Sequence, residues 1–269
     1  MKLYVAGGLT GKIDKVFVRN GLRWRLLTYF EIRYPSNASY WLSGDAPAPL
    51  FVDSGALSAH TRGLDVDIRE YCDFLNLNKD HIDPYAALDV IGDWKASAQN
   101  YEFMLTQGLK PIPTFHMQSP MRELRRLLGV ADYIALGGLV GCHTNVLKVW
   151  LDKCWVIIKE FWPKRIHAFG LTSPWLLLRY PWYSADSSTA VFRGGMGIVN
   201  RWKDTKVTQD HFTVRARKTM DGSILDHVCV GKNEEGSAHV FRRLNNINNQ
   251  ISIQRYVTDV WALRGIVWQ

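Results

Sequence analysis

Leu50 to His60, LFVDSGALSAH, is the stretch whose reading decides the fold. Three apolar residues, Leu50, Phe51 and Val52, run directly into Asp53. Ser54 and Gly55 then let the chain turn sharply. A short apolar run bounded by turn residues reads as a buried strand. An acid at the C-terminal end of such a strand lies at the rim, where α/β folds keep their chemistry. The competing reading is local. Asp and Ser are good helix caps, and a helix over Val66 to Leu77 would need one. The choice depends on whether Asp53 has partners at the ends of other strands.

On the N-terminal side, Lys2 to Ala6 reads as a first strand ended by Gly7-Gly8, and polar Gly11 to Gly21 as a loop. Leu26 to Ile32, LLTYFEI, reads as a second strand, and Tyr34 to Pro49 as a long surface loop. On the C-terminal side, Arg69 to Leu77 has helical spacing. Tyr85 to Val90, YAALDV, reads as the fourth strand, with Asp89 near its end. Asp93 to Gln107 places Trp94, Ala98, Tyr101 and Leu105 on one helical face, and Gly108 stops it. Lys110 to His116 is the fifth strand, although its prolines suit a sheet ladder poorly. Pro120 to Leu128 is a basic helix whose arginines read as a solvated face. Asp132 to Leu139, DYIALGGL, is the sixth strand, and Asn145 to Phe161 a long helix. Arg165 to Leu171 is the seventh strand, Pro174 to Leu178 a short helix, and Trp182 to Asp186 the eighth strand.

Strand and helix alternating to a count of eight predicts an α/β fold, a (β/α)8 TIM-like barrel, with an open doubly wound sheet as the fallback. Residues 1–200 form the expected catalytic barrel, and 201–269 a short basic C-terminal extension packed on it or completing it. That extension holds eleven Lys/Arg and seven Asp/Glu, with clusters at Arg215, Arg217 and Lys218 and at Arg242 and Arg243.

The 269 residues are ample for one large domain, and 47% apolar content is that of a globular chain. A formal charge of +8 suggests a polyanionic partner. Cys72, Cys142, Cys154 and Cys229 contain no CxxC pair, so no zinc subdomain and no metal is expected, and they read as reduced packing residues. No signal-peptide core and no run of about 18 apolar residues is present, so a cytoplasmic protein without membrane contact is expected.

Three acids thus stand at strand ends: Asp53, Asp89 and Asp186. All strand C-termini of a barrel open on one face, so the three would converge there. His116 ends strand five, and bare backbone at Gly137-Gly138 would admit a flat ligand. Each also has a plainer reading. Asp53, Asp89-Gly92-Asp93 and Asp186-Ser187-Ser188 could start helices, Gly137-Gly138 could be a turn, and His116 a structural histidine.

Taken together and in order, LFVDSGALS, YAALDV, YIALGGLVG, and IHAFGLTSP followed by YSADSST resemble segments of the tRNA-guanine transglycosylases. The resemblance covers Leu50 to Thr189. It departs from the tRNA enzymes in lacking their Cys-x-Cys-x2-Cys zinc site, in its shorter length, and in having Thr114-Phe115-His116 where they carry Gln-Gly. It is closest to the DpdA-type paralogues of phages and bacterial islands, which place 7-deazaguanine derivatives in DNA. The resemblance implies Asp186 as nucleophile on C1′ and Asp53 as general acid/base. It implies Asp89, His116, Gly137, Gly138, Leu139, Ser54 and Gly55 around the base. No cofactor is implied. The partners would be DNA, with its guanine flipped out or single-stranded, and a free 7-deazaguanine base such as the cyano or aminomethyl form. Arg215, Arg217, Lys218, Arg242 and Arg243 would meet phosphates. A phage-encoded protein would work in the bacterial host's cytoplasm. The same reaction on tRNA, a glycosidase that lets water finish, and a non-catalytic nucleic-acid-binding barrel are the alternatives.

Overall fold

A computed structural model describes residues 1–7, 12–34, 39–171, 173–203, 206–211 and 238–268. Eight parallel strands form one sheet: β1 (Lys2–Ala6), β2 (Arg25–Thr28), β3 (Leu50–Asp53), β4 (Ile82–Tyr85), β5 (Thr114–His116), β6 (Tyr133–Gly137), β7 (Arg165–Ala168) and β8 (Ser184–Ser187). The sheet runs in the order β4-β3-β2-β1-β8-β7-β6-β5. Its two ends meet through a parallel bridge between Ala86 and Ile112. There the Ala87 N–H donates to Ile112 O and the Ile112 N–H to Tyr85 O, each at 2.8 Å. The eight-stranded sheet is therefore closed on itself through this bridge.

Helices follow in chain order: α1 (Lys12–Arg19), α2 (Tyr29–Ile32), α3 (Ser39–Leu42), α4 (Ala56–His60), α5 (Ile68–Leu77), α6 (Trp94–Thr106), α7 (Met121–Val130), α8 (Thr144–Ile158), α9 (Pro174–Arg179) and α10 (Thr189–Gly195). An antiparallel hairpin of β9 (Ile198–Lys203) and β10 (Lys206–His211) precedes the terminal helix α11 (Ala238–Leu263). No helix among the described residues is long and apolar enough to cross a membrane.

Alternation along the strands sends one set of side chains into the lumen and the other under the helices. Tyr4, Ala6, Leu26, Phe51, Ala86, Ile112 and Ala135 form the lumen cluster. Phe51 is fully buried, with its ring 5.1 Å from Tyr4 and 4.8 Å from His167. Truncation of Phe51 to Ala should cost about 3–5 kcal/mol. At the N-terminal end of the lumen, Lys2 lies 4.7 Å from the Trp24 ring and Arg165 lies 5.1 Å from the Tyr133 ring. This floor directs the chemistry to the opposite mouth.

Several expectations are corrected. Gly11 to Gly21 is not a loop, because Lys12–Arg19 is helical. Its Asp14 turns inward, where Arg25 lies at 3.3 Å and the Trp41 indole donates at 2.7 Å. That makes an apparently polar segment a packed one. The second strand stops at Thr28, and Tyr29–Ile32 forms a helical turn burying Tyr29, Phe30 and Ile32 together, which strand alternation could not do. The fourth strand is Ile82–Tyr85, so Asp89 stands four residues past its end, on a loop. The fifth strand keeps only Thr114–His116, as the upstream prolines dictate.

The boundary placed at residue 200 falls inside β9. Helix α11 packs against α10, α9, α1, β9 and β1. Within it, Gln250 Nε2 donates to Tyr4 O at 2.9 Å and the Trp261 indole to Leu177 O at 3.0 Å.

Candidate active site

Asp53 ends β3 opposite Thr28 of β2, and the chain then turns at once. Gly55 makes that turn with φ of 75°. A Cβ there would lie 2.6 Å from Phe30 Cβ, so only glycine fits. The freed backbone N–H groups of Gly55 and Ser54 both donate to the Asp53 carboxyl. They do not prevail. Burial, reinforced by the charges of Asp89 and Asp186, pushes the Asp53 carboxyl up to about 7. The action of both charges on Asp53 places all three carboxylates at one mouth of the barrel.

Asp89 is presented by a loop whose backbone is held by α6. Asn100 donates to Leu88 O at 3.0 Å, and the Ser97 hydroxyl accepts from the Val90 N–H at 2.9 Å. His116 Nε2 lies 3.1 Å from Asp89 Oδ2, too far off axis for a good hydrogen bond, so the contact is chiefly ionic. Burial works to lower His116, but Asp89 and the further charge of Asp53 outweigh it and leave the imidazole titrating above its usual value. Gly137 is the reason His116 can lie where it does, since a Cβ there would stand 2.9 Å from His116 Nδ1.

Asp186 is placed by β8 in register with Tyr4 of β1. Its Oδ1 receives the Gly170 N–H at 2.9 Å and lies 3.2 Å from His167 Nε2. His167 is wholly buried, and its Nδ1 is 2.6 Å from the Ser184 hydroxyl. Ser184, also fully buried, lies 2.5 Å from the Tyr133 hydroxyl. The rings of Tyr4, Phe51 and Phe169 wall the imidazole. Burial pushes His167 below its ordinary value despite the pull of Asp186.

None of the three acids caps a helix: α4 and α10 start at Gly55 and Ser188 without a side-chain cap. Asp67 caps α5, Asp93 caps α6, and the Ser187 hydroxyl accepts the Thr189 N–H at 3.0 Å. Asp53, Asp89 and Asp186 are left for other work.

No protein-family model matches the chain, and no curated protein matches it in sequence. Among solved structures, a tryptophan synthase alpha subunit from Pyrococcus furiosus aligns over 93% of this chain and 96% of its own, with 11% identity and a TM-score of 0.50. One from Legionella pneumophila aligns over 94% and 92%, with 9% identity and a TM-score of 0.49. A protein from Aquifex aeolicus covers 72% of this chain and 85% of its own, with 11% identity and a TM-score of 0.49. The chain is a (β/α)8 barrel. Likeness at such identities concerns the fold alone.

The other expected site residues divide. Ser54 is buried, and its hydroxyl is 3.4 Å from the Ala56 N–H, so it shapes the turn after Asp53. Gly138 and Leu139 continue the rim beyond Gly137; the Leu139 side chain is packed in the outer core, and what the resemblance implies for the two residues concerns their backbone N–H groups. Arg242 and Arg243 spend their Nε atoms on the carbonyls of Gly194 and Val191, at 2.8 and 3.1 Å, tying α11 to α10. Arg215, Arg217 and Lys218 lie outside the described residues, as does Cys229. Of the basic helix, Arg125 pairs with Glu160, and Arg126 with Glu123 and Glu102. The sequence reading missed His167, Ser184 and Tyr133. A partial signal was present for His167 alone, a polar residue between Ile166 and Ala168 on β7, where a buried polar side chain needs a partner; β8, SADS, is too polar to single out Ser184.

Proposed function

We propose that this protein is a glycosyl-transferring enzyme that exchanges guanine in DNA for a 7-deazaguanine base through a covalent intermediate on Asp186. The observation that carries the reading is the pair of carboxyl groups at one mouth in opposite surroundings. Asp53 is raised to about 7, as a proton carrier must be. Asp186 has two N–H groups aimed at one oxygen, as suits a carboxylate nucleophile.

In the first half-reaction an Asp186 oxygen bonds C1′ while the C1′–N9 bond breaks, and Asp53 gives its proton to N9 of the departing guanine. In the second, the incoming base surrenders its N9 proton to Asp53 and bonds C1′, and Asp186 leaves. Two displacements retain configuration, and water need not take part. Asp89 would accept from N1–H and the 2-amino group, and His116 beside it would donate to O6. Arg33 and Arg62, which flank the Phe30 ring at 4.5 and 5.0 Å, add cations beside the Asp53 turn where phosphates would pass.

The test is nucleoside mass spectrometry of DNA and of tRNA after incubation with the cyano and aminomethyl bases. Incorporation into DNA supports the reading, and incorporation into tRNA alone moves the substrate to RNA. Free guanine without incorporation makes the protein a glycosidase. Binding without any base release leaves a nucleic-acid-binding barrel.

A further inference from the structure

We propose that His167 is a positioning residue: the Tyr133–Ser184–His167 chain locks its imidazole as the Nε2–H tautomer, which pins Asp186 Oδ1 and leaves Oδ2 as the attacking atom. Only the last clause rests on the transferase reading.

The proton assignments follow from the donors and acceptors available. Asp186 Oδ1 takes the Gly170 N–H, and on this proposal that oxygen is an acceptor only. His167 Nε2 must then donate to it. A neutral imidazole has one ring proton, so Nδ1 is an acceptor, and the Ser184 hydroxyl must donate to Nδ1. The Ser184 oxygen is in turn open to the Tyr133 O–H. Every proton is used once and in one direction. The opposite direction would require a protonated Asp186 and a second acceptor for the Tyr133 hydroxyl, and among the described residues its hydrogen bond is with Ser184.

The groups facing the imidazole are Tyr4 from β1, Phe51 from β3, Tyr133 from β6, Phe169 after β7, and Ser184 and Asp186 from β8. Asp186 is the charged one among them. A second proton, on Nδ1, would place charge in a fully buried site and take from the Ser184 hydroxyl its acceptor; Asp186 favours that proton, but burial outweighs it. Ser184, His167 and Asp186 contain the side chains of a hydrolase triad, but Ser184 is 0% exposed, so it orients and does not attack.

The first test needs no substrate. Nitrogen-15 NMR of histidine-labelled protein should show His167 as a single Nε2–H tautomer, without titration between about pH 5.5 and 8. An Nδ1–H tautomer or an imidazolium at neutral pH would overturn the proposal. Ser184→Ala should release the lock and give a tautomer mixture; an unchanged single tautomer would show that Ser184 sets nothing. The second test compares covalent adduct formation with DNA. His167→Phe should slow it about ten- to a hundredfold at unchanged KM, as expected when a nucleophile is misplaced. His167→Gln keeps an N–H donor near the Nε2 position and should recover most of that loss. Equal loss in both variants, each folded by circular dichroism, would overturn positioning by the N–H. A wild-type protein with the expected tautomer and no adduct would refute the transferase reading and leave the locked His167 standing.

Discussion

Asp53 and Asp186 stand on β3 and β8 of the same rim, yet the two sides of that rim treat a carboxyl group differently. On the β3–β5 side, Asp53, Asp89 and His116 crowd one another, and both Asp53 and His116 are raised. On the β7–β8 side, one acid meets N–H donors at the end of a hydrogen-bonded chain whose middle members, His167 and Ser184, are wholly buried. The first side is arranged so that a proton can move at neutral pH. The second ties its acid to fixed N–H donors. On the proposed reading, this separation by strand divides the acid from the nucleophile.

The comparison breaks most completely at Asp186. Asp186→Asn should lower adduct formation and base exchange by about a thousandfold or more. An adduct that survives in that variant would move the nucleophile to Asp53 and erase the division.

Asp53→Asn should act differently. Exchange should fall by about 10²–10⁴-fold, while some adduct still accumulates where the leaving base finds a proton elsewhere. The variant also has a stability signature. An unfolded Asp titrates near 4, whereas folded Asp53 titrates at about 7. Between those values the folded state binds the extra proton, so wild-type stability falls as pH rises through this window. The penalty is fully present above about pH 7, and the asparagine does not share it. Urea midpoints at pH 8 should therefore favour Asp53→Asn by on the order of 2 kcal/mol, within the ~4 kcal/mol that the full shift would allow, and should agree at pH 4. A wild type that loses no stability across the window would show Asp53 unperturbed.

Asp89→Asn sharpens the first side alone. His116 is raised, so its contribution is present below its unfolded value near 6.5 and is lost as pH rises through the higher folded value. The variant should cost less than about 1 kcal/mol at pH 6 and nothing at pH 9, since the pair is partly exposed. Its larger effect should be a KM for the incoming base raised about tenfold.

The smallest effect is expected far from both sides. Replacing Arg242 and Arg243 by Gln should lower the thermal midpoint by a few degrees, since their backbone contacts hold α11. The salt dependence of DNA binding should be nearly unchanged. A collapse of the salt slope would return these arginines to the phosphate contacts.

Much of this was legible in the sequence, and unevenly so. Leu50–Asp53 declared itself because its apolar run is short and ends in turn residues. The prolines upstream of Thr114 announced a shortened strand. Lys12–Arg19 hid its helix because Asp14 is a buried acid, and the partner that makes it so, Arg25, is defined only by strand pairing. The three rim acids could be picked out by position. The buried chain behind Asp186 could not, because Tyr133, His167 and Ser184 come from three strands. Their contact depends on the register that aligns Ala135 with His167 and His167 with Ser184.

Helix α11 has one further consequence, for synthesis. The ammonium of Met1 donates to Thr258 Oγ1 at 3.0 Å, and the Leu3 N–H to Gln254 Oε1 at 3.2 Å, so β1 is covered by an element made some 250 residues later. A ribosome releasing the chain vectorially exposes β1, and the β8 strand beside it that carries Asp186, until α11 emerges. The strand that carries Asp186 therefore lies beside an uncovered β1 until α11 docks.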